Sequence, residues 1–120
     1  MSRIDLGRHG ESLAAKHLEG LGYSIIARNH RSSLGELDLI GRDGACWVFV
    51  EVKTRRSMRC GSGAEAVTPR KQERLVRLGQ LYLSQQGLGN QPFRFDVVDV
   101  RLLPGAAPAI RHIKGAFGGP

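Results

Sequence analysis

The sequence predicts an α/β domain, a three-layer α/β/α core in the order αβββαβ with a mixed sheet. Three observations predict it. Two segments with helical apolar spacing enclose three runs of strand composition. Arg42-Asp43-Gly44 joins two of those runs as a hairpin. The second helix then stands as a crossover before another apolar strand, which permits a parallel pairing. At 120 residues the chain has room for one core, so residues 1–120 read as a single domain, ordered at about 7–113, with a Gly/Pro-rich C-terminal tail.

The first helix is expected over residues 7–21, where Ala14, Leu18 and Leu21 recur on one side and Gly22 stops it. Glu11 lies one turn before that stripe, at the edge of the buried face. A first-turn acid favoured by the helix dipole is its bland reading. Residues 23–29 have β composition. Residues 36–41 form the next strand, with Leu37 and Leu39 pointing one way and Glu36, Asp38 and Ile40 the other. Residues 45–54 form the third, with Cys46, Val48, Val50 and Val52 on one face and Trp47, Phe49, Glu51 and Lys53 on the other. Both faces are largely apolar, so this strand is central. Residues 55–67 are basic, Gly/Ser-rich and without period, and read as a loop. Thr68 caps the second helix and Pro69 opens it; Leu75, Leu78 and Tyr82 form its buried stripe, Arg70, Arg74 and Arg77 its basic face, and Gly87 its end. Residues 93–100 are a strand, and a short edge strand is expected around residues 110–113.

The chemistry gathers on the hairpin. With Asp43 and Gly44 as central turn residues, Asp38 faces Phe49 and Glu36 faces Glu51. Asp38 and Glu51 are then diagonal neighbours on one face, roughly 7–8 Å apart at the backbone. A turn two residues longer sets them directly opposite; a slip by one sends them to opposite faces. Acids inside apolar strands either pair with a base or hold a cation. Asp38 and Glu51, with the Val52 carbonyl and Glu11 from the helix, offer the oxygen ligands that Mg²⁺ or Mn²⁺ takes. Lys53 can hold the attacking water and offset charge at a phosphate. Together these suit metal-dependent phosphodiester hydrolysis. The plain alternative is a Glu51–Lys53 salt bridge at a wet strand edge.

Composition supplies the partner. The formal net charge is +7, with fourteen Arg against four Lys, and the pI is about 10.3. Such a balance favours nucleic acid first and an anionic membrane second. Arg31, Arg55, Arg56, Arg59, Arg70, Lys71, Arg74 and Arg77 are the candidate backbone contacts. Cys46 and Cys60 make no disulfide framework, and the four histidines show no metal-ligand spacing. No Ser-His-Asp or phosphate-loop pattern is present. No apolar run reaches the ~20 residues of a membrane-spanning helix, and the N-terminus lacks a signal-peptide core. A cytoplasmic protein without a membrane partner is expected, as monomer or homodimer.

Gly7-Arg8-His9-Gly10-Glu11, Arg28-Asn29-His30-Arg31, Gly35-Glu36-Leu37-Asp38-Leu39-Ile40, Phe49-Val50-Glu51-Val52-Lys53-Thr54-Arg55 and Arg94-Phe95-Asp96-Val97-Val98 together resemble the bacterial YraN family, from Gly7 to about Ile113. That family is placed in the restriction-endonuclease-like superfamily. The resemblance implies the nuclease core fold, with Asp38, Glu51 and Lys53 at the metal and catalytic positions. It also implies that Glu11 matches the helix acid of Holliday-junction resolvases. Leu37 stands where the superfamily usually has a proline. The resemblance gives no substrate; the Asp38/Glu51/Lys53 constellation on a basic chain supports a Mg²⁺-dependent endonuclease on nucleic acid, with DNA, including branched DNA, expected ahead of RNA. A non-catalytic nucleic-acid-binding module of the same fold, or a protein partner in recombination or DNA uptake, is compatible with the same residues.

Overall fold

In the computed structural model, which describes residues 2–56 and 67–117, the first helix starts earlier than its apolar stripe. The Ser2 hydroxyl accepts a hydrogen bond from the Asp5 N–H at 3.1 Å and caps α1, Arg3–Gly20. Its first turn is exposed, so hydrophobic spacing carries no trace of it. Ala14, Ala15 and Leu18 are buried, and Gly10 lets the helix approach the sheet: a Cβ there would fall 1.8 Å from Thr54 Oγ1.

The strands are β1 (Ser24–Ser32), β2 (Gly35–Asp43) and β3 (Cys46–Arg55); after α2 (Pro69–Gln85) come β4 (Phe93–Arg101) and β5 (Ala109–Phe117). They form one sheet in the order β1-β2-β3-β4-β5. Only β3 and β4 run parallel, because the α2 crossover between them returns the chain to the same end. Leu75, Leu78, Tyr82 and Leu83 of α2 pack with Trp47, Phe49 and Phe95 on one face. Ala14, Ala15 and Leu18 of α1 pack with Leu39, Val48, Val50 and Val98 on the other. This is the three-layer α/β/α core with a mixed sheet that the sequence predicts. The last strand is longer than the segment around residues 110–113, because it pairs with β4 from Arg101↔Ala109 to Phe95↔Phe117.

Two expectations about the hairpin are corrected. Asp43 pairs with Cys46, so Gly44 and Ala45, not Asp43 and Gly44, are the central turn residues. Gly44 has φ +60, the conformation that the first position of a II′ turn requires. The ladder runs to Leu39↔Val50, and its continuation sets Asp38 level with Glu51 rather than with Phe49. Strict alternation along β2 also fails. Leu37 and Ile40 join the α2-side core, whereas Leu39 joins the α1-side core. Leu37 and Leu39 therefore do not share a face. The break falls where β3 leaves β2 and where Asn29 of β1, opposite Asp38, takes φ +51.

Asp96 ties distant parts of the sheet together. Fully buried, it accepts hydrogen bonds from Arg94 Nε and the Gly115 N–H, each at 3.0 Å, and lies 2.7 Å from His112 Nε2. Arg94 in turn reaches the Tyr23 hydroxyl and Asp43. No helix among the described residues is long and apolar enough to cross a membrane.

Candidate functional site

Three acids converge where α1 crosses the β1–β2 hairpin. One carboxylate oxygen each from Glu11, Glu36 and Asp38 lies within 4.8 Å of the others. Glu11 arrives because Gly10 seats α1 against Thr54. Asp38 is fixed by the Val52 N–H, which donates to Asp38 Oδ2 at 2.9 Å. The break in alternation at Asp38 turns it and Glu36 toward α1 while Ile40 faces α2.

The electrostatics of this cluster are those of crowded acids. Burial, then the charges of Glu51 and Glu11, push the Asp38 carboxyl up to about 7, against the pull of the Val52 hydrogen bond. Burial also raises Glu11, which the Asn29 side chain, Arg8 and Arg28 partly offset. Glu11 Oε1 is buried and has no hydrogen-bond partner among the described residues. A buried carboxylate oxygen without a donor costs free energy that a bound cation would recover.

Glu51 takes a different environment. It is 8% exposed, and its Oε1 lies 2.8 Å from Lys71 Nζ and 3.6 Å from Lys53 Nζ. Burial pulls the Lys53 ammonium down, and the neighbouring Lys71 adds to that. Burial acts the same way on Lys71, but its hydrogen bonds to Glu51 and Lys53 and the charges of Glu51 and Asp38 together outweigh it and hold Lys71 up. Asp38 thus stands between an acid group on the α1 side and a Glu51–lysine group on the α2 side. The structure brings Glu11 to Asp38, and it brings Lys53 to Glu51. Val52 contributes its N–H to Asp38 and its side chain to the α1-side core.

The basic residues divide. Arg70, Arg74 and Arg77 are exposed on α2 and line a cleft with Leu34 and Glu73. Arg56 is exposed just past β3. Arg31 is exposed and pairs with Glu36 at 2.9 Å. Arg55 turns inward, its side chain 15% exposed and 3.2 Å from Asp99. Lys71 is engaged with Glu51 rather than displayed. Arg59, and most of the loop expected over residues 55–67, lie outside the described residues.

Glu36 is the site residue that sequence reasoning left out. The signal was its place two residues before Asp38, on the same side of an extended strand. The sequence offers Lys71, early in the second helix, either as a surface residue or as one in reach of the site; the crossover brings it to Glu51.

The chain matches the model of "Uncharacterised protein family UPF0102" over residues 10–100. A UPF0102 protein of Nocardia farcinica is 52% identical over 112 residues, 93% of this chain and 88% of that one. One from Symbiobacterium thermophilum is also 52% identical, covering 93% and 95%. One from Mycolicibacterium vanbaalenii is 48% identical over 95% and 94%. Among solved structures, Pyrococcus furiosus SfsA in complex with Ca²⁺ is similar with a TM-score of 0.42 and 17% identity, over 91% of this chain and 62% of that one. This chain spans less than two thirds of that protein, and so distant a likeness carries no argument about chemistry.

Proposed function

The chain belongs to the UPF0102 family, and we propose that it hydrolyses phosphodiester bonds in DNA, branched DNA included, with Mg²⁺ or Mn²⁺. The observation that carries this reading is the convergence of Glu11, Glu36 and Asp38 within 4.8 Å, with Glu11 Oε1 buried and without a donor among the described residues. An all-oxygen donor set of this kind suits a hard divalent cation. Glu11, Glu36 and Asp38 would hold it, with Glu51 and the Val52 carbonyl beside them. When bound, the cation supplies Lewis-acid polarisation of the phosphoryl group.

The chain's own residues do the rest. Lys53, its ammonium drawn down by burial, holds the attacking water and can pass a proton nearer neutral pH than an ordinary lysine. Lys71 neutralises Glu51, so that Glu51 does not repel an incoming phosphate. Asp38, fixed by the Val52 N–H, keeps its oxygens aimed at the cluster. Arg70, Arg74 and Arg77 offer exposed guanidiniums for the polyanion backbone, with Arg56 just past β3.

One observation favours a second reading. Lys71 at 2.8 Å already neutralises Glu51, as it would in a nucleic-acid-binding module that performs no hydrolysis. Incubation with linear, nicked and four-way-junction DNA plus Mg²⁺ or Mn²⁺ separates the two. Cleavage is expected, and Lys53→Ala or Asp38→Asn should lower its rate by roughly 10²-fold or more. Absence of cleavage on every substrate overturns the hydrolase and leaves the binding module; full activity in both variants would show that the cleavage does not come from this site.

A further inference from the structure

A cleft lies between the first turns of α1 and the β1–β2 hairpin, and Glu11 and Glu36 form one wall of it. Its other lining includes Arg3, Gly7 and Arg8 from α1 and Asn29 from β1. Residues 3, 7 and 11 are spaced by four, so they share one face of the helix, and Arg8 borders it.

Gly7 is the telling residue. Glycine inside a helix costs roughly 0.5–1 kcal/mol relative to alanine. At Gly10 and Gly79 packing explains that cost, because a Cβ would strike Thr54 or the rings of Phe49 and Phe95. At Gly7 a Cβ would meet nothing within 4 Å, and its φ is not in the left-handed region. Among the described residues no neighbour requires the glycine. What it does is keep the floor of the cleft open to something that comes close to the helix backbone. Arg3 and Arg8 stand exposed at the rim. Asn29 holds φ +51 in the opposite wall, an uncommon conformation within a strand and the kind of strain that gathers at ligand sites.

We propose that this cleft holds a backbone phosphate of the nucleic-acid strand, adjoining the phosphate at the acid cluster, with Arg3 and Arg8 as its clamps and Gly7 as its floor. The inference rests on the hydrolase reading for the neighbouring phosphate, and it assigns residues that reading does not use. Guanidiniums suit phosphate, and the α1 N-terminus adds a favourable dipole. Glu11 and Glu36 line the same cleft; Glu36 is paired with Arg31, but Glu11 would repel a phosphate unless a divalent cation lay beside it. Binding here is therefore cation-dependent, whereas binding on the Arg70/Arg74/Arg77 face of α2 is not.

The test is fluorescence anisotropy with a short single strand and a four-way junction, titrated against salt in Ca²⁺ and again in EDTA. Gly7→Leu fills the cleft, Arg3→Ala/Arg8→Ala removes the clamps, and Lys16→Ala, elsewhere on α1, is the control. In Ca²⁺ the double variant should reduce the slope of log affinity against log salt by about 0.9 per lost contact on the junction and about 0.7 on the single strand. Gly7→Leu should lose the Ca²⁺-dependent part of the affinity with a melting midpoint no lower than that of the wild type. In EDTA both should match the wild type, and Lys16→Ala should match it throughout. Wild-type affinity of the cleft variants in Ca²⁺ overturns the proposal. If the wild type cuts nothing but the cleft variants still lose Ca²⁺-dependent binding, the hydrolase reading falls and the cleft stands. If the wild type cuts DNA and the cleft variants bind like it, the cleft falls alone. Should Gly7→Leu not fold, the exposed arginines decide.

Discussion

Asp38 is poised between charge states. It takes one backbone hydrogen bond, yet burial and the Glu51 and Glu11 charges push its carboxyl up to about 7. An unfolded Asp titrates near 4, so between about 4 and 7 the folded chain binds more protons than the unfolded one. Stability therefore falls as pH rises through that window, and the loss is complete above it. In EDTA, Asp38→Asn keeps an acceptor for the Val52 N–H and removes the charge. It should be more stable than wild type at pH 8, by on the order of 2 kcal/mol, and nearly equal at pH 4. Thermal melting at the two pH values checks this. A less stable variant at pH 8 would mean that the ionised Asp38 has a favourable partner.

At the scale of elements, the helices were legible because their apolar spacing matches what they bury. Leu75, Leu78 and Tyr82 are the α2 stripe in sequence and in structure alike. The start of α1 was not legible from spacing, since its first turn buries nothing and is set by the Ser2 cap. Glycines separate the two situations. Gly79 meets Phe49 and Phe95 ring carbons at 2.9 Å from where a Cβ would stand, so Gly79→Ala should cost about 1–3 kcal/mol through overpacking. Gly7→Ala meets open space and should gain roughly 0.5–1 kcal/mol from helix propensity. Urea denaturation of the two variants should move the midpoint in opposite directions. Equal shifts would mean that α2 is not seated on the sheet as described.

At the scale of the molecule, the sheet is closed by polar ties as well as by its core. Asp96 links β4 to β5 through His112 and Gly115, and through Arg94 to Tyr23 and to Asp43 at the β2–β3 turn. Removing one member of a buried charged network strands the rest. Asp96→Ala should cost about 3–5 kcal/mol, and hydrogen exchange should rise first in β5, an edge strand held on one side only. A loss below 1 kcal/mol would show that the tie is replaceable. Arg94 and Asp96 stand in one motif of the family resemblance, but their partners Tyr23, Asp43, His112 and Gly115 are scattered along the chain, so no local pattern announces the network.

The sequence by itself determined the kinds and order of the elements, the central strand, the crossover and the positive charge. Each follows from local composition or from periods of 2 and 3.6 residues that report burial directly. Asp38, Glu51 and Lys53 were visible for the same reason, as charges inside apolar runs. Tertiary structure decided which of them meet. The II′ turn at Gly44-Ala45 moved the register, and the break in alternation at Asp38 turned that acid toward α1. The close approach of α1 at Gly10 then brought Glu11 to it and to Glu36. The crossover carried Lys71 to Glu51, and Arg55 turned inward to Asp99. These are contacts between layers, fixed by how three surfaces pack, and no local period along the chain encodes them.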